Sequence, residues 1–131
     1  MRGLLPCLLA MMLMFTLAPA PAEAAEVLQV RGATLLQVGD QNRSYPVRLG
    51  CVQVDPDDGA AATAWLRDAL PRRTRVNLRP LGLADGTLLA RVTVLSSGVD
   101  LGTGLQQAGL ASPLEATEAP QGCPAPAALA G

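Results

Sequence analysis

The 131-residue chain contains no histidine and no lysine, and it has one Trp, one Tyr and one Phe. Without histidine there is no Ser-His or Cys-His nucleophile pair and no imidazole metal site. Every side-chain cation is therefore an arginine. Charge is also scarce. Beyond residue 24, nine arginines face ten acids, so overall charge gives no bias toward nucleic acid or an anionic membrane. No internal repeat is visible.

A long apolar run occurs at one place, Gly3 to Ala18, behind the single positive charge of Arg2. It passes into Pro-Ala-Pro-Ala and ends in Ala22-Glu23-Ala24. That pattern predicts a secretory signal, residues 1–24, cleaved near Ala24. The run is short for a membrane span and lacks a basic stop-transfer cluster. The expected location is the periplasm or the cell exterior, and Cys7 leaves with the leader.

Cys51 and Cys123 then remain. In an oxidising compartment they form a disulfide tying the tail to the body. Its loop of about 70 residues would be worth roughly 4 kcal/mol by the loop-entropy model. The competing reading, a catalytic thiol, lacks a base to activate it.

Alternation in Ala25 to Gly39 predicts two short strands broken at Arg31-Gly32. Gly39 to Asn42 supplies a turn, and Tyr45 to Val54 reads as the next strand. The period then changes. Ala62, Trp65, Leu66, Ala69 and Leu70 fall on one helical face between Asp58 and Leu70, with Asp57 or Asp58 as N-cap and Pro71 as the stop. A fourth strand starts at Thr74, Ala84-Asp85-Gly86 makes a hairpin turn, and Thr87 to Leu95 is the fifth strand. Asp100 caps a short helix that ends at Gly109, where Gly102 and Gly104 are poor helix formers. Residues 112–131, rich in alanine and proline, are expected to be a disordered tail. Five strands with a helix between the third and fourth predict a mainly β, OB-type barrel over residues 25–111.

In this order the fragments RGAT (31–34), VRLGCV (47–52), AAATAWLRDAL (60–70), DGTLLARV (85–92) and LQQAGLA (105–111) resemble the thermonuclease, or staphylococcal nuclease-like, family. The resemblance implies an OB-type fold and calcium-dependent hydrolysis of DNA or RNA by two arginines and a general-base carboxylate. It also places those groups. The metal-binding aspartates fall on Ala33 and Gln53, the base glutamate on Pro56, the first arginine on Arg48 and the second on Thr87. The tyrosines expected to stack on a base have no counterpart after the second helix.

Alanine offers calcium no side-chain oxygen, and glutamine offers a neutral one. Loss of the base alone would cost on the order of 10²–10⁴ in rate. The expectation is a catalytically degenerate, monomeric binding or structural module that needs no cofactor. Arg48 is its anion-binding candidate, unless it only pairs with Asp55 or Asp57 on the surface. The alternative is an atypical calcium nuclease, in which a two-residue bulge puts Asp55 in place of Gln53 and Asp58 in the base position beside Arg48. Arg67, Arg72, Arg73, Arg75 and Arg79 raise a third possibility, an anion- or nucleic-acid-binding face, against a plain solvated surface.

Overall fold

A computed structural model describes residues 23–124. The expected leader up to residue 22 and the last seven residues lie outside them. Seven strands form: β1 (Glu23–Val30), β2 (Leu35–Asp40), β3 (Arg43–Leu49), β4 (Val52–Gln53), β5 (Thr74–Ala84), β6 (Thr87–Val94) and β7 (Ser112–Pro113). A 3-10 turn (Pro56–Asp58) leads into helix α1 (Gly59–Ala69), and helix α2 (Leu101–Gln107) follows β6. Five strands close a barrel in the order β1-β2-β3-β6-β5, with β5 returning to β1. The β3–β6 contact is parallel and the other four are antiparallel. This is the expected OB-type barrel, with α1 between its third and fourth strands.

Alternation decides which side chains fill it. Leu36 and Val38, Val47 and Leu49, Val76 and Leu78, and Ala90, Val92 and Val94 point inward. On β1 the buried set is Ala25, Val27 and Val30, which breaks the two-residue period. The break coincides with a register shift between Val27 and Gln29, a bulge whose extra residue returns Val30 to the interior. A second shift falls between Pro80, paired with Ala90, and Gly82, paired with Leu89.

Helix α1 buries Ala62 and Leu66, and α2 buries Leu101 and Leu105. Each fully buried leucine contributes about 2–3 kcal/mol by apolar transfer. Trp65 and Ala69 pack against the edge of this core. The glycines of α2 have a packing reason: a β-carbon on Gly104 would stand 2.5 Å from the Trp65 ring, and one on Gly102 would stand 3.2 Å from Val52. Asp100 caps α2 as expected, its Oδ2 accepting from Thr103 N at 3.0 Å.

Two expectations need correction. The 3-10 turn is capped by Asp55, whose carboxylate accepts from Asp57 N, whereas Asp58 precedes α1 without a side-chain cap. Proline at the first turn position moves the start of the helical segment forward. The tail is also not free from Ser112. Residues 112–113 pair with β4, Leu114 N donates to Cys51 O at 3.2 Å, and Cys51 is bonded to Cys123 across a Cα separation of 5.5 Å. Backbone pairing and the covalent staple hold a segment whose composition gives no such signal. No helix of the described residues is long and apolar enough to cross a membrane.

Candidate functional site

The positions singled out by the resemblance are spread over the β1–β2 turn (Ala33), the end of β3 (Arg48), β4 and the 3-10 turn after it (Gln53, Pro56) and the start of β6 (Thr87). Val47 and Leu49 occupy the interior, so Arg48 between them projects outward and is exposed. Its cross-strand neighbours are Leu35 on β2 and Leu89 on β6. The β1–β2 turn is closed by Arg31 N and Gly32 N, both donating to Leu35 O. Leu49 N donates to Thr34 O at 2.9 Å, which seats this turn against the end of β3. Ala33 lies in the turn, partly buried against the core.

After Leu49 the chain turns sharply. Gly50 is buried, and a β-carbon there would meet Leu81 at 2.8 Å and Leu89 at 3.2 Å, so the close crossing requires glycine. β4 then carries Val52 inward and Gln53 outward, with Gln53 opposite Ser112 of the returning tail. Thr87 opens β6 opposite Ala84, across the Asp85-Gly86 turn.

The strand does not continue to Asp55. β4 ends at Gln53, and Asp55 holds the cap of the 3-10 turn, 3.5 Å from Asp57 N. Gln53, Val54, Asp55, Pro56 and Ser112 line an open depression of about 330 Å³. Of the three residues in the atypical-nuclease reading, Asp55 lines it and Arg48 and Asp58 do not. Among the described residues, no three of Cys, Asp and Glu converge as a metal-ligand group. Ala33 and Pro56 offer no side-chain oxygen and Gln53 a neutral one, whereas calcium takes six to eight oxygens with carboxylates among them.

Arg48 does not make the surface pair with Asp55 or Asp57. Among the described residues the salt bridge is instead Arg91 Nε to Asp100 Oδ1, at 3.6 Å. Arg91 Nη1 also donates to Gly122 O at 3.4 Å, next to Cys123. One arginine thus links β6, the α2 cap and the stapled tail, a role that no local pattern in the sequence announces.

The run of arginines from 67 to 79 divides. Arg73 and Arg75 line an open pocket of about 520 Å³ together with Arg43, whereas Arg67, Arg72 and Arg79 do not reach it. All six are exposed.

The sequence matches no model of a known protein family, and a search of curated proteins finds no relative.

Proposed function

We propose that the chain is an exported module with a thermonuclease-like barrel from which hydrolytic chemistry has been lost, acting as a binding or structural part. The observation that carries this reading is the chemistry along the β3–β4 crossing. The places where the resemblance puts two metal-binding carboxylates and a base hold Ala33, Gln53 and Pro56. Asp55, the nearest acid, caps a turn. Those three positions offer a divalent cation no carboxylate and an attacking water no base.

Export is supported by the leader-like residues 1–24 and by the Cys51–Cys123 disulfide, a bond that persists in oxidising compartments. Arg48, exposed and outside any ion pair among the described residues, remains able to take an anion.

The alternative, a calcium-dependent phosphodiesterase using Arg48, Asp55 and Asp58, is separated by a simple assay. The chain is incubated with single-stranded DNA and calcium, with and without chelator. We expect no chelator-sensitive cleavage. Cleavage that disappears in Arg48→Ala would overturn the proposal.

A further inference from the structure

The pocket shared by Arg43, Arg73 and Arg75 is built by three separate segments. Arg43 opens β3, directly opposite Asp40 across the β2–β3 turn. Arg75 is the second residue of β5 and faces Glu26 on β1. Arg73 lies in the turn after α1 with φ 69°, and its N–H donates to Val27 O at 2.8 Å, tying that turn to β1. β1 and the end of β2 supply the remaining wall. Leu28 lies across Gly39, where a β-carbon would come within 3.0 Å.

None of the three guanidinium groups has a hydrogen bond or ion pair among the described residues. The three arginines line one open space of about 520 Å³, within the usual range for a small-ligand site. Two carboxylates, Glu26 and Asp40, share the wall. Three arginines against two carboxylates leave the wall net positive, which favours an incoming anion. A guanidinium fork matches two oxygens of a phosphate or sulfate at once.

The two acids and the shape decide between ligands. A long polyanion tracking across this wall would meet Glu26 and Asp40 as well as the arginines. Among the described residues no aromatic ring lines the pocket to stack a base, the usual source of single-strand affinity. A compact group that engages only the arginines avoids both problems. Cleavage near Ala24 would remove Ala24 from this wall and leave the α-ammonium of Ala25 on it.

We propose that the Arg43–Arg73–Arg75 pocket binds the oxyanion of a small phosphate or sulfate monoester. This stands apart from the fate of the nuclease chemistry, because neither Arg48 nor the β3–β4 crossing belongs to the pocket.

The test titrates the isotope-labelled chain, purified after export, with inorganic phosphate, sulfate, glycerol phosphate and a short single-stranded oligonucleotide. Arginine Nε–Hε signals and the amides of Gly39 and Gln41 are followed by NMR. We expect saturable shifts at Arg43, Arg73 and Arg75 with phosphate or glycerol phosphate, and none at Arg79, which does not line the pocket. Arg73→Gln and Arg75→Gln should each weaken binding about tenfold, as loss of a charge-assisted hydrogen bond does, while Arg79→Gln leaves it unchanged. Preserved amide dispersion shows that the variants fold. A glycerol phosphate response well above that of both inorganic ions assigns a monoester; equal responses assign a general oxyanion site, which overturns the ester part of the proposal. Uniform shifts over all arginines, unchanged affinity in the variants, or saturable binding of the oligonucleotide alone would overturn it entirely.

Discussion

Trp65 on α1 stands over Gly104 on α2 so closely that a β-carbon would fall 2.5 Å from the ring's Cη2 and 2.9 Å from Cζ2. Helix propensity and packing therefore pull in opposite directions at this position. Alanine would gain about 1 kcal/mol as a helix former, whereas forcing a methyl into a filled site costs about 1–3 kcal/mol. Gly104→Ala is expected to lower stability by about 1 kcal/mol and to alter Trp65 fluorescence. A stabilised variant in urea denaturation would mean that the two helices are looser than described.

The staple should matter more. Cys51 and Cys123 are 72 residues apart, and a loop of that length contributes about 4 kcal/mol in the chain-entropy model. The Cys51→Ser/Cys123→Ser double variant should unfold at markedly lower denaturant, and the Leu114 amide should lose protection from hydrogen exchange. An unchanged midpoint would show that β4–β7 pairing and the barrel alone hold the tail.

Asp100 performs two tasks that can be separated. Its Oδ2 accepts from Thr103 N and Oγ1, while its Oδ1, shielded from solvent and without a hydrogen bond, faces Arg91 at 3.6 Å. Asp100→Ala loses both and should cost about 1–2 kcal/mol, in the range of a lost cap. Asp100→Asn keeps a cap acceptor and should cost less. Equal losses in thermal or urea unfolding would assign the whole effect to the ion pair.

Much of the barrel was legible because its signals are local. Val76 and Leu78 alternate with Arg75 and Asn77, and Ala62, Leu66 and Leu70 repeat at the helical period. Asp85-Gly86 forms the expected hairpin turn, with φ of 51° and 78°. Asp58 takes the N-cap position of α1 as expected but without a side-chain bond, whereas Pro56 favours a first-turn position and so points back to Asp55 as the cap of the preceding turn.

Other features arise only in three dimensions. Ser112-Pro113 carries no strand signal, because it is ordered by pairing with β4 and by a covalent bond. Gly102 and Gly104 read as weak helix residues until the Val52 and Trp65 side chains above them are seen. Arg43 is thirty positions from Arg73 in the chain, and only the β1–β2–β3 and β1–β5 pairings put them on one pocket wall.

Calcium titrated into the exported chain by calorimetry probes the carboxylate oxygens missing along the β3–β4 crossing. With Ala33, Gln53 and Pro56 in place, heats of dilution alone are expected. Saturable calcium uptake with an affinity on the order of micromolar, the range of built carboxylate sites, would contradict this expectation.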